Sequence, residues 1–187
     1  VSCFGKEGHA VLIDCRSLDF ELVPIPSNAD FVICNTMVKH ELSGGEYNQR
    51  RAQCEEGVLI LSKFYPGIKA LRDVSVEQLI RHESDLPAVV YRRCLHVVLE
   101  NARTLDAVKC FASDDLATVG QLMRASHESL RDLYEVSCAE LDTMVESAQG
   151  LPGFIGGRMT GGGFGGCTIN LVERANSQEF AKEVAAR

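Results

Sequence analysis

Residues Gly156–Cys167 read GGRMTGGGFGGC, with seven glycines in twelve positions. Glycine loses more backbone entropy on folding than any other residue, so an ordered segment that concentrates it needs positive φ angles or a close approach to its backbone. Gly161, Gly163 and Gly166 satisfy the spacing G-x-G-x-x-G. A dinucleotide-binding turn of that spacing lies between a strand and a helix, because the helix N-terminus meets the pyrophosphate. Here the following segment, Cys167–Val172, reads as a strand, and so does Phe154–Met159 before it. The loop contains no lysine, which excludes a Walker A phosphate loop. What remains is a strand–loop–strand unit. A tight hairpin uses one or two glycines. The surplus over Gly161–Gly166 points to close contact with a ligand or another loop.

Upstream of the loop the chain is helical. Between about Glu46 and Lys63, the residues Tyr47, Cys54, Val58 and Leu61 share one helical face, and Pro66 and Gly67 stop the run. Ser75 and Gln78 form a capping-box pattern ahead of a short helix. Pro87 suits the first turn of a helix with Val90, Cys94, Val97, Val98 and Ala102 on one face. Leu116, Val119, Met123 and Leu130 mark another amphipathic helix. Ser137 and Glu140 make a second capping-box pattern, and Gly150 stands where a C-cap glycine is expected. Asn176 and Glu179 open a last helix running to Arg187. Ahead of the helices, Val11–Ile13 and Phe20–Val23 read as a hairpin around Asp14–Leu18. Pro24, Pro26, Ser27 and Asn28 then mark a candidate domain boundary, and Phe31–Cys34 is a short apolar strand. Helices packed on one face of a small antiparallel sheet is the economical α+β arrangement of these pieces.

The chain of 187 residues is 45% hydrophobic and 24% charged, the composition of a globular domain. Its net charge is −7 and it has no basic stripe, which argues against a nucleic-acid partner. The eight cysteines are widely and irregularly spaced. With no C-x-x-C and no histidine at finger spacing, they read as reduced thiols of a cytoplasmic protein, not as a zinc site or a disulfide framework. No apolar run reaches membrane-spanning length, and the first residues lack a signal-peptide pattern.

Gly156–Thr168 (GGRMTGGGFGGCT) closely resembles the third signature motif of the GHMP kinase superfamily, in its galactokinase form. Asn35–Glu56 (NTMVKHELSGGEYNQRRAQCEE) resembles the segment that begins that family's C-terminal domain, and Ser126–Asp142 (SHESLRDLYEVSCAELD) a characteristic helix-to-helix stretch. Val1–Ser17 is similar to the sequence that follows the family's second motif. The resemblance covers essentially the whole chain. It implies a ferredoxin-like GHMP kinase C-terminal domain over residues 27–187, its final strands missing, preceded at 1–26 by strands continuing from an N-terminal kinase domain. The implied activity is phosphorylation of galactose at C1 with ATP and Mg2+, by a cytoplasmic, monomeric enzyme. The first two motifs and the catalytic aspartate are expected upstream of Val1, and the segment alone is expected to be inactive. Kinases of N-acetylgalactosamine or arabinose, and a non-catalytic galactose- and ATP-sensing regulator, are the alternatives on the same scaffold.

Residue by residue, the resemblance gives Tyr47 a hydrogen bond to the sugar. It gives Gly161, Gly162, Gly163, Gly165 and Gly166 one wall of the nucleotide cleft. It carries over no catalytic or metal-binding residue. Without it, Tyr47 reads as a core tyrosine on a helix face. Arg158 is either a phosphate contact or a tether for the loop. Asn35, Thr36 and His40 read as loop-shaping, and His127 and Arg131, one helical turn apart, as a polar packing network.

Overall fold

In the computed structural model, which describes residues 4–39 and 45–186, β1 (His9–Ile13) and β2 (Phe20–Pro24) form the expected antiparallel hairpin. Crossed ion pairs tie its turn to the helical body. Arg16 donates to Asp73 at 2.8 and 3.0 Å, and Arg72 donates to Asp14 at 2.6 Å. β3 (Ala29–Lys39) follows after a short turn. It has eleven residues, although the apolar pattern marks only Phe31–Cys34. β4 (Phe154–Thr160) and β5 (Gly165–Glu173) complete a second sheet in the order β3-β5-β4, antiparallel throughout. β3 outruns its apolar core because β5 supplies backbone partners from Ala29, opposite Glu173, to Lys39, opposite Gly165.

The described residues also form six α-helices: α1 (Gly45–Leu61), α2 (Val76–Arg81), α3 (Ala88–Ala112), α4 (Leu116–Asp132), α5 (Ala139–Gln149) and α6 (Ser177–Ala186). The capping box of α2 forms as expected: Gln78 N–H donates to Ser75 Oγ at 3.2 Å and Ser75 N–H to Gln78 Oε1 at 2.9 Å. Pro87 is the N-cap of α3, one residue outside the first turn where the sequence places it. Asp115, which no apolar pattern singles out, caps α4 by accepting the Thr118 N–H at 3.0 Å.

The second capping box does not form. The N-cap of α5 is Cys138, and Ser137 Oγ instead donates to Asp142 Oδ1 at 2.5 Å. Gly150 does end α5, but at φ −88°; the left-handed residue is Gly153, at φ +76°. Asn176 directly precedes the first residue of α6, where the sequence places it. It closes a 3-10 turn, Arg174–Asn176, and sits so close beneath Gly153 that a Cβ there would be 2.5 Å from the Asn176 Cβ.

The expected α+β class forms, but helices cover both faces of the three-stranded sheet where the sequence suggests one. Alternation along β5 sends Val172 to a core with Ala148, Leu151, Phe180 and Val184, so α5 and α6 cover that face. Leu171 points the other way, to Val119 and Phe31, where α4 and the end of α3 add contacts. A separate core of Leu61, Leu79, Val90, Cys94 and Val98 joins α1, α2 and α3.

The seam between α4 and β4 is held open for neither backbone. A Cβ on Gly120 would lie 2.1 Å from the Ile155 carbonyl oxygen, and one on Gly156 would lie 2.4 Å from Gly120 Cα. Gly120→Ala is therefore expected to destabilise the protein by about 2–3 kcal/mol, although alanine is the better helix former. The measurement is the urea midpoint, and an unchanged midpoint would contradict the close seam.

Candidate functional site

The glycine loop joins β4 to β5, so the G-x-G-x-x-G spacing leads into a strand, as its flanks require. Gly161, Gly163, Gly165 and Gly166 all take positive φ, from +83° to +118°, and Phe164 joins them at +58°. Much of the glycine surplus is thus conformational. Close approach adds to it at Gly163, where a Cβ would lie 2.1 Å from the Val136 carbonyl oxygen. The next residue, Phe164, donates its N–H to that same oxygen at 2.8 Å. Gly161, Gly162 and Gly166 differ: a Cβ on any of them would meet no described atom within 4 Å. The loop is packed at Gly163 and open at Gly161 and Gly162.

Across the sheet edge, Thr36 Oγ donates to the Gly166 carbonyl at 2.8 Å, and Asn35 Oδ1 accepts the Met37 N–H at 2.9 Å. Met37 has φ +59°, and the β3–β5 register shifts after Asn35. Asn35 and Thr36 therefore shape the strand end beside the loop. His40 lies outside the described residues.

Tyr47 is not a core residue. α1 buries Arg50, Gly57 and Leu61, while Tyr47 is 65% exposed. It lines a cleft of about 660 Å³ with Arg51, Cys54, Lys69 and Tyr134. Burial pushes the Tyr134 phenol up to about 12, so it stays a neutral hydrogen-bonding group.

Between Tyr47 and the glycine loop runs the segment Leu133–Val136. Arg50 Nε donates to the Tyr134 carbonyl at 2.6 Å and its Nη2 to the Glu135 carbonyl at 2.8 Å. Arg93, 2% exposed, donates to the Leu133 carbonyl and, at 2.6 Å, to the Glu135 carboxylate. Arg92 holds the other carboxylate oxygen at 2.9 Å. Sequence reasoning missed Arg50, Arg93 and Glu135, because arginines and a glutamate on helical stretches look like surface residues. The one available signal was that Arg50 follows Tyr47 by three positions, on a neighbouring helical face.

Arg158 is a tether. Its Nη1 donates to Ser126 Oγ at 2.9 Å and lies 3.5 Å from Glu100, while its Nε donates to the Met159 carbonyl at 3.0 Å. It stands in the wall of a cavity of about 220 Å³ between the hairpin, α3 and α4. His127 is the packing residue expected. Its Nδ1 accepts the Met159 N–H at 3.3 Å, which places its proton on Nε2, 3.2 Å from Asp142 Oδ1. Arg131 does not share that network; it pairs with Asp132 on the surface at 2.8 Å. Among the described residues no group of three or more His, Cys, Asp or Glu could hold a metal ion. The seven described cysteines are free thiols, and no described helix is long and apolar enough to cross a membrane.

Residues 107–187 match the family described as GHMP kinases C terminal. Over 186 residues the chain is 49% identical to a galactokinase of Chloroflexus aggregans, covering 100% of this chain and 48% of that one. It is 45% identical over 185 residues to a galactokinase of Roseiflexus sp., covering 99% of this chain and 47% of that one. It thus spans about half the length of the curated relatives it matches. The crystal structure of Lactococcus lactis galactokinase complexed with galactose superposes with a TM-score of 0.91 at 38% identity, over 98% of this chain and 47% of that one. L. major mevalonate kinase shares the fold, with a TM-score of 0.55 at 18% identity, over 90% of this chain and 41% of that one.

The stacked pair beneath the segment Leu133–Val136 makes stability depend on pH. His96 is 5% exposed, lies 2.8 Å from Ser129 Oγ and stacks on Tyr134 at 4.5 Å between ring centres. Burial pushes its pKa down from 6.5 to about 4, and burial lowers that of His127 as well. Between about pH 6.5 and 4 the unfolded chain therefore binds more protons than the folded one, and stability falls as the pH drops through that window. His96 alone contributes up to about 3 kcal/mol of that loss. A Tm-against-pH curve should fall across the window and flatten in His96→Gln; a wild-type curve with no acid slope would contradict the burial.

Proposed function

We propose that this chain, whose residues 107–187 match the family described as GHMP kinases C terminal, is the C-terminal part of an ATP-dependent kinase that phosphorylates galactose at C1. The observation that supports this most is the likeness to galactokinases over 99% and 100% of the chain, through both the Tyr47 segment and the glycine loop. In such a reaction the protein contributes mainly positioning and electrostatic stabilisation. Tyr47 supplies a phenol that can donate and accept one hydrogen bond each beside an apolar ring, a match for a sugar hydroxyl. Its exposure on the open side of α1 leaves it free to do so. Gly161, Gly162, Gly163, Gly165 and Gly166 form one wall of the nucleotide cleft. The loop presents bare backbone at Gly161 and Gly162, and Gly163 packs against Val136.

Residues 1–26 belong to the preceding kinase domain, and 27–187 form the C-terminal domain. Phe4 and Phe20, tilted against each other with ring centres 4.5 Å apart and 55% and 46% exposed, give that preceding domain an apolar surface to cover. The catalytic aspartate and the residues that hold Mg2+ and the transferred phosphoryl group lie in that domain, in a cytoplasmic, monomeric enzyme. The 187-residue segment alone is then expected to turn over no galactose.

The test is ADP release by the complete protein with galactose and with other sugars. Galactose-independent ATP turnover, or none, would overturn the assignment. Tyr47→Phe in the complete protein should raise the galactose KM several-fold, by about 1 kcal/mol of lost hydrogen bonding, with the ATP KM little changed. Unaltered galactose kinetics would remove Tyr47 from the site.

A further inference from the structure

We propose that Arg50 is a positioning residue that couples Tyr47 to the glycine loop through the backbone of Leu133–Val136. What the two ends bind rests on the sugar-kinase reading above; the linkage rests on contacts alone. Tyr47 and Arg50 are three residues apart on α1, so a displacement of one carries the other. Arg50 grips two consecutive carbonyls, those of Tyr134 and Glu135, at 2.6 and 2.8 Å. The next carbonyl, that of Val136, accepts the Phe164 N–H at 2.8 Å, and Gly163 sits against it with no room for a Cβ. From the opposite side Arg93 and Arg92 hold the Glu135 carboxylate at 2.6 and 2.9 Å.

Glu135 has φ +55°, a conformation that non-glycine residues adopt only when their surroundings impose it. Here three guanidinium groups impose it. With the Tyr134, Glu135 and Val136 carbonyls and the Glu135 carboxylate all held, the segment cannot absorb a shift of α1 by local rotation. The shift passes to Val136 and so to the loop at Gly163, while Gly161 and Gly162, where the loop is open, lie outside the path. Coupling of this kind is reciprocal between the two binding sites.

The experiment is steady-state kinetics and Tm of the complete protein. Arg50→Lys keeps the charge but cannot span two carbonyls; it should raise the ATP KM about fivefold or more along with the galactose KM. Gly163→Ala, on the nucleotide side, should raise the galactose KM by a similar factor. Gly161→Ala, equally strained at φ +83° but free of contacts, should confine its effect to ATP. In the double variant Arg50→Lys with Gly163→Ala, the galactose KM should rise by less than the product of the single effects. Should Gly163→Ala not fold, Glu135→Gln weakens the clamp without a clash and should give the same cross-effect. Effects of Arg50→Lys limited to galactose, effects of Gly163→Ala limited to ATP, or a lowered Tm with neither KM changed, would each overturn the coupling. A wild-type protein that turns over no galactose defeats the kinase reading itself, whereas an active one with side-confined effects defeats only the coupling.

Discussion

The chain leaving α4 has three successive carbonyls, those of Leu133, Tyr134 and Glu135, and arginine satisfies them. Buried carbonyls left unpaired cost about 1–3 kcal/mol each. Arg93 reaches Leu133 from α3, and Arg50 reaches Tyr134 and Glu135 from α1. Cations at a helix C-terminus also meet the favourable end of its dipole. Both guanidinium groups lie inside, on residues 9% and 2% exposed, so the contacts are little screened by water. Three helices and the glycine loop therefore meet on one short stretch of backbone, and the positions of Tyr47 and Gly163 both depend on it.

A second constraint is the closeness of backbones at glycine. Gly57 lets α1 meet Cys94 on α3, Gly120 and Gly156 let α4 meet β4, and Gly163 lets the loop meet Val136. At each place a methyl group would have nowhere to go. The glycine loop itself divides in two by this measure. Gly163 is a packing residue, whereas Gly161, Gly162 and Gly166 present open backbone.

Parts of this were legible in the residues. The hairpin, the strand–loop–strand unit and the helix faces around Val90 and Cys94 follow from hydrophobic period, and the α2 capping box from Ser75 and Gln78. Other local signals misled. Ser137 and Glu140 have the capping-box spacing, yet Ser137 is drawn to Asp142, because a half-buried seryl hydroxyl beside a carboxylate has a stronger partner than a backbone amide. The helical period around Tyr47 reads as a core position, yet on that face Leu61 is buried while Tyr47 is exposed. Period gives a face's width, but the neighbour decides which edge of that face is covered.

The sequence by itself determined the α+β class and the order of elements, and three extended stretches of it carry the resemblance to a kinase family. These rest on local periodicity and on residue strings, both of which are properties of the chain in one dimension. Only the tertiary structure decided that Arg50, Arg93 and Glu135 form an internal clamp, that Arg158 is a tether, and that the loop is packed at Gly163 and open at Gly161 and Gly162. Those facts depend on pairs such as Arg50 with Tyr134, Arg93 with Glu135 and Gly163 with Val136, brought together by packing across long stretches of chain. No local rule connects such residues; burial and the need to satisfy every buried carbonyl do.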